Sequence, residues 1–234
     1  MHDLGQNEDR LRGTYGFPFE FHHIDSSHPR YIMSYHWHVE YEIMRVLEGT
    51  LTVTLDEKSF TAKAGDIIFV HSGILHSGIP EKCVYECLVF DMNAFLKTGS
   101  VCSEYIQRIV HQDIMIYHHF TAAQKEIIQA ANTIFQAFQK KKEGYELTVF
   151  GQFYHFFGLI FGKHYYFESL PKARRDYKRI LQLKQVVEFI EKNYTSPITL
   201  QQLSAPSGNI RALPPENTEN RAHHARSPEL FFLI

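Results

Sequence analysis

Between Tyr31 and about Phe90 the apolar positions fall in short runs separated by turn residues. YEIMRVLEG alternates as a half-buried strand does and ends at Gly49. LTVTLDEKSFTA reads as a hairpin with its turn near Asp56 and Glu57. AGDIIFVHSGILHSGIP supplies a strand at Asp66–Val70 followed by loops marked by Gly and Pro, and CVYECLVFD is a further strand. Short strands at close intervals predict a sandwich or barrel rather than a parallel sheet.

After Asp91 the period lengthens. Ile106, Ile109, Val110 and Ile114 share one helix face. Ile127, Ile128, Ala131, Ile134, Phe135 and Phe138 share another, with Thr121 as N-cap and Lys140–Lys142 at the C-terminal end. Leu147, Phe150, Tyr154, Phe157 and Phe161 mark a third. Each amphipathic helix needs a partner face, which the strands or the other helices would supply; dimerisation through one of them is the alternative. Pro171-Lys172-Ala173-Arg174-Arg175-Asp176, with Lys178 and Arg179, reads as a basic linker. A helix is predicted over 180–194, with Leu183, Val186, Val187 and Ile190 on one side, and Thr199 caps the start of another at Leu200–Ser204. Beyond Gly208 the adjacent Pro214 and Pro215 forbid a continuous helix, because proline lacks the amide donor and clashes with the preceding turn. The stretch 209–234 is therefore expected to be largely unstructured.

Composition adds constraints rather than a function. A net charge of −2 means that any nucleic-acid surface would have to be local. Cys83, Cys87 and Cys102 are odd in number and lack CxxC spacing, which suits a reducing cytoplasm better than a disulfide framework. The polar N-terminus shows no signal-peptide core, and the longest apolar run, Phe153–Phe161, is interrupted by His155 and Gly158. A soluble cytoplasmic protein is expected.

The 15 histidines carry the chemical signal. His36, His38 and Glu42 have the same parity, so in an extended segment they project to one face, which Met44 and Val46 continue as apolar. Burying three polar groups there costs several kcal/mol, on the order of 2–7 each, unless they bind one another or a ligand. Gly65-x5-His71-x-Gly73-x2-His76 brings a further imidazole, and His71 is expected at the mouth of the pocket. The adjacent pairs His22-His23, His118-His119 and His223-His224 read as surface or tail.

The pattern HxHx3Ex6G over His36–Gly49, and Gly65, Gly73 and His76 after it, resemble the two motifs of the cupin superfamily. The second motif departs at His71, where the family usually has Pro, and at Pro80, where it usually has Asn. The resemblance implies a cupin-type β-barrel, a double-stranded β-helix, with His36, His38, Glu42 and His76 as ligands. That mixed N/O set suits a divalent Zn, Fe, Mn or Ni; a pocket that holds an organic effector without metal is the alternative.

Over about residues 15–204 the chain is similar to the AraC family of bacterial transcriptional regulators. YHWHVEYEIMRVLEG with AGDIIFVHSGILHSG carries the likeness to its sensor domain, and VVEFIEKNYTSPITLQQLS to the opening of its helix-turn-helix domain. The resemblance implies an effector-sensing barrel over 1–95, a helical dimerisation region over 96–168, a basic linker over 169–177 and an AraC-type helix-turn-helix domain begun over 178–208. It implies a homodimer and a small-molecule effector bound near His36, His38, Glu42, Met44, Val46, His71 and His76. A sugar is one effector class that aromatic stacking would suit, although Tyr35, Trp37 and Tyr41 have the parity opposite to the pocket. Only 57 residues follow Tyr177, and Pro214-Pro215 falls where a recognition helix should run, so the DNA-reading unit is expected to be incomplete and this polypeptide not to bind DNA specifically. A metal-dependent cupin enzyme of dioxygenase or isomerase type is the competing function; no separate acid or base beside the cluster supports it, and a regulatory protein without catalysis is expected.

Overall fold

The computed structural model describes residues 12–96 and 98–169, together with Gln182, Val186, Phe189, Ile190 and 198–200. The chain divides into two compact units, Met1–Leu181 and Gln182–Ile234. In the second, Gln182, Val186, Phe189 and Ile190 are helical, within the helix expected over 180–194, and Leu200 is helical where the next helix is expected to start. Apart from Ser169, the basic linker, together with the remainder of the expected helix-turn-helix start and the 209–234 tail, lies outside the described residues.

The first unit is a seven-stranded antiparallel sheet with a layer of helices. Its strands are β1 (Phe19–Ile24), β2 (Met33–His36), β3 (Tyr41–Leu55), β4 (Lys58–Lys63), β5 (Ile67–Val70), β6 (His76–Phe90), β7 (Ile114–Ile116), β8 (His119–Phe120) and β9 (Tyr166–Glu168). The main sheet runs β1-β6-β3-β5-β8, with β2 added on β6 and β4 on β3, while β7 and β9 pair separately. Among the described residues this hydrogen-bonded path has two ends, β1 and β8. The helices are α1 (Val101–Val110), α2 (Lys125–Lys140) and α3 (Tyr145–Gly162). None is long and apolar enough to cross a membrane.

Two 15-residue strands, β3 and β6, run antiparallel along their whole length and form the spine. Their register shifts around Glu48, so the inward parity changes: Met44 and Val46 face one core before the bulge, and Leu51, Val53 and Leu55 after it. Gly49 permits this with φ +65°, because a Cβ there would collide with the carbonyl oxygen of Lys82 across the bulge. The hairpin turn falls where the pattern put it, with Asp56 at φ 50°.

The sheet buries both faces. The inner core takes Met44, Val46, Leu51, Val53, Ile68, Val70, Cys83, Tyr85 and Cys87. The outer core joins Tyr41, Ile43, Ile67, Phe69, Leu88 and Phe90 of the same strands to Phe95, Ile106, Ile134, Phe135, Phe153 and Phe156 of the helical layer. The three helices therefore find their partner face on the sheet and on one another.

Details of the helical layer differ from the sequence reading. Ile114 is in strand β7 rather than on the face of α1, which ends with His111 as C-cap. The N-cap of α2 is Gln124, and the Thr121 backbone N–H instead donates to Gln124 Oε1 at 2.9 Å. Helix α3 buries Val149, Phe153, Phe156, Phe157 and Ile160, while Leu147 is 79% exposed. Apolar residues occur on most sides of α3, so its sequence period does not single out one face, although Gly151, His155, Gly158 and Gly162 form an exposed stripe.

Candidate functional site

Strand parity brings the cluster together, although not along one strand. His36 is the last residue of β2, His38 lies in the connection that follows, and Glu42 is the second residue of β3. His76 opens β6, where it pairs with His36 on one side and Leu55 on the other. The potential ligand atoms of His36, His38, Glu42 and His76 all lie within 4.8 Å of one another. His38, Glu42 and His76 are 0–3% exposed, so the cluster is buried on the inner face.

Each imidazole is oriented by its own backbone. Nδ1 of His36 is 2.9 Å from the carbonyl of Ser34, that of His38 is 3.1 Å from Glu40 O, and that of His76 is 2.8 Å from Ile74 O. A carbonyl only accepts, so all three Nδ1 atoms carry the hydrogen and all three Nε2 atoms are left to the cluster. Nε2 of His38 is 3.3 Å from Oε2 of Glu42. Nε2 of His76 lies 3.2 Å from the same oxygen but makes no hydrogen bond, a buried polar atom without a partner.

This electrostatic arrangement calls for positive charge. Burial alone would raise the pKa of Glu42, but the close approach of the His38 and His76 imidazoles, and then their charge when protonated, holds it well below the ordinary carboxylate value. Burial, followed by the neighbouring His76, lowers His36 to about 4. A neutral Nε2 facing a carboxylate oxygen sets lone pair against lone pair. Either a proton on the ring or a cation between donor atoms relieves that opposition. Imidazoles tied at Nδ1 to carbonyls are the outer-shell device that orients histidine ligands. The two edges from Glu42 to His38 and His76, 3.3 and 3.2 Å, suit donors about 2.1 Å from a common centre, and the full set, within 4.8 Å, would close slightly around one. The donor set therefore fits a divalent cation.

A small cavity of about 70 Å³ opens beside the cluster, bordered by His36, His38, Glu42, Tyr85, Cys87, Val89, Ile24 and Met33, with Arg12, His22, His28 and Arg30 completing its lining. It has room for a handful of waters, at roughly 10–15 Å³ each on this measure. Met44 and Val46 are inward and buried as expected, but they do not border the cavity. Tyr85, Cys87 and Val89 do so in their place, and their alternation in CVYECLVFD was the available signal. His22 likewise borders the cavity rather than being simple surface.

His71 is not at the pocket. It follows Phe69 in parity and turns to the outer core, where Nε2–H donates to Ile116 O at 3.0 Å and the ring packs against Tyr41, Phe69 and His118. Burial, and then the charge of His118, lowers its pKa to about 3. Tyr41 also joins the outer core, Trp37 is buried, and Tyr35 is half-exposed. His119 pairs with Asp66 at 2.8 Å, and His118 Nδ1–H donates to Phe69 O. His223 and His224 lie outside the described residues.

Residues 18–148 match the model of the AraC-like ligand binding domain. The chain belongs to that family. A relative from Bacillus subtilis, named as the uncharacterized HTH-type transcriptional regulator YdeC, is 25% identical over 179 residues, which cover 72% of this chain and 59% of the relative. The chain thus spans under two thirds of that protein's length. Among solved structures, a variant of oxalate decarboxylase from Bacillus subtilis aligns with 26% of this chain and 18% of its own at 25% identity and a TM-score of 0.24. An iron(II) HppE aligns with 25% of this chain and 34% of its own at 20% identity, with the same TM-score of 0.24.

Proposed function

We propose that the chain is the effector-sensing part of an AraC-family transcriptional regulator, and that its sensing centre is one divalent cation held by His36, His38, Glu42 and His76. The observation that carries the centre is the set of three imidazoles, each tied at Nδ1 to a carbonyl, turned by Nε2 toward one buried carboxylate. Zn, Fe, Mn and Ni all suit two or more imidazoles with a carboxylate. When bound, such a cation offers open coordination positions to an oxygen-bearing effector. The chain's own residues set the limits on that effector: the cavity beside the cluster holds about 70 Å³, too little for a sugar ring. A small oxygen-rich molecule or anion suits it better.

Family membership and the cramped cavity favour sensing over turnover, so the enzyme reading comes second. Its output belongs to the same proposal: homodimerisation, a closed cupin barrel, cytoplasmic location and control of a promoter through the helix-turn-helix unit begun after residue 178. An effector with unequal affinity for two dimer arrangements shifts the population between them by that difference and no more.

The test is native mass spectrometry and elemental analysis of protein purified without an affinity tag. One divalent cation per chain is expected, lost on chelation and absent from Glu42→Gln and His76→Ala. Protein that carries no cation and takes up none on titration with Zn, Mn, Ni or iron(II) overturns the metal centre.

A further inference from the structure

A much larger cavity lies on the other side of the sheet unit. It is a half-open cavity of about 590 Å³ between α1, α3 and the turn into β9, inside the range of about 300–1,000 Å³ typical of small-molecule sites. Its walls are aromatic: Tyr105 from α1, Tyr154, Phe157 and Phe161 from α3, and Tyr166 from β9. Gly158 and Gly162, one turn apart on α3, form part of the lining. Among the described residues, a Cβ built on either exposed glycine meets nothing within 4 Å, so this stretch of the lining is unpacked there. Glycine is a poor helix former compared with alanine, and no described neighbour demands it at these two positions.

Among the described residues, Arg108 brings a permanent cation to this space, and His164 also lines it. The Arg108 guanidinium sits over the rings of Phe161 at 5.4 Å and Tyr166 at 5.7 Å. Its Nη2 donates to Glu168 Oε1 at 3.0 Å, a carboxylate that is itself 67% exposed. Nε and Nη1 remain as donors on the same planar group, which can take a second carboxylate or sulfonate. The aromatic walls supply stacking and edge contacts for a flat apolar body.

We infer that this cavity is a second ligand site, and that it takes an aromatic acid of one or two rings, with the ring system over Gly158 and Gly162 and the anionic group on Arg108. The site is separate from the histidine cluster and does not depend on the cation proposed there. Such an occupant would brace α1 against β9, the last strand among the described residues of the first unit.

The experiment uses the full chain and two fluorescent probes: 1-anilinonaphthalene-8-sulfonate, aromatic and anionic, and N-phenyl-1-naphthylamine, its neutral counterpart. Saturable binding of one sulfonate probe per folded chain is expected, within twofold of the same affinity in EDTA. Gly158→Leu should weaken both probes at least tenfold, because the side chain fills the cavity. Arg108→Met should weaken the sulfonate at least fivefold and leave the neutral probe within twofold. Circular dichroism checks that each variant is folded. Should Gly158→Leu fail to fold, the contrast between probes in Arg108→Met decides alone. Sulfonate binding unchanged in Arg108→Met, several weak sites per chain, or loss of signal on self-association overturns the inference.

Discussion

Replacing Glu86 by Gln should destabilise the sheet unit far more than its single-atom change suggests. Glu86 is fully buried in β6 and accepts from Arg45 Nε at 2.6 Å, Gln139 Nε2 at 2.6 Å and His23 Nδ1 at 2.8 Å. Arg45, opposite it on β3 and 6% exposed, also donates to Asn132 and lies over the Phe135 ring. Asn132, Phe135 and Gln139 all belong to α2, so this network fastens the helix to the spine of the sheet. The amide keeps the shape but removes the charge that compensates a buried guanidinium. Breaking one side of such a pair costs about 3–5 kcal/mol. At roughly 2–4 °C per kcal/mol for a unit of this size, the melting temperature should fall by about 10 °C. The double change Arg45→Met with Glu86→Leu removes both charges and should recover at least half of that loss. Urea unfolding followed by near- and far-ultraviolet circular dichroism measures both. A cost below about 1 kcal/mol for Glu86→Gln, or a double variant weaker than the single one, would show that the pair does not carry the assigned charge compensation.

Further outcomes follow from other parts of the unit. At a free cation concentration a hundredfold above its dissociation constant, linkage adds about 2.7 kcal/mol, so Zn should raise the melting temperature by roughly 5–10 °C in the native chain and not in Glu42→Gln; equal shifts in both would place the cation elsewhere. His71 has its folded pKa depressed to about 3 from 6.5, so its neutral burial contributes fully above pH 6.5 and is lost as pH falls toward 3. The slope reaches at most ~1.4 kcal/mol per pH unit in that window, and His71→Leu should flatten the stability profile between pH 6.5 and 4; a profile of unchanged steepness counts against it. Gly49→Ala combines a left-handed backbone with a collision against Lys82 and should cost at least about 2 kcal/mol in urea unfolding, whereas a loss under 0.5 kcal/mol contradicts the tight bulge.

The strands of the spine were legible because they are long and regular: the alternation from Tyr41, the hairpin at Asp56 and the run after Cys83 all correspond to observed elements. The four-residue cluster was legible as well, through the spacing of His36, His38 and Glu42 and the later His76. The reason differs from the one that spacing suggested. The chain turns between β2 and β3, so the convergence is made by two strands and a connection. Strands β1, β2 and β9 and the first half of β6 are short or carry Gly and Pro, which reads as loop when no partner strand is in view. His71 shows the limit most clearly. Its spacing from Gly65 and His76 pointed at the pocket, yet the parity of Phe69 turns it to the opposite face. Which face a strand residue takes depends on where bulges fall, and a bulge such as that at Glu48–Gly49 is set by the neighbouring strand.

The double-sided spine leaves no insulation between the pocket and the helices. Glu42 looks into the cluster, while Tyr41 and Ile43, one peptide bond away on each side, are held in the outer core, and the Tyr41 hydroxyl donates to the Ile109 carbonyl of α1. Tyr41 and Glu42 thus belong to one short rigid lever whose two ends rest in different layers. Repacking the helical layer to change its stability would also re-aim the carboxylate, and tightening the grip on Glu42 would pull on the end of α1.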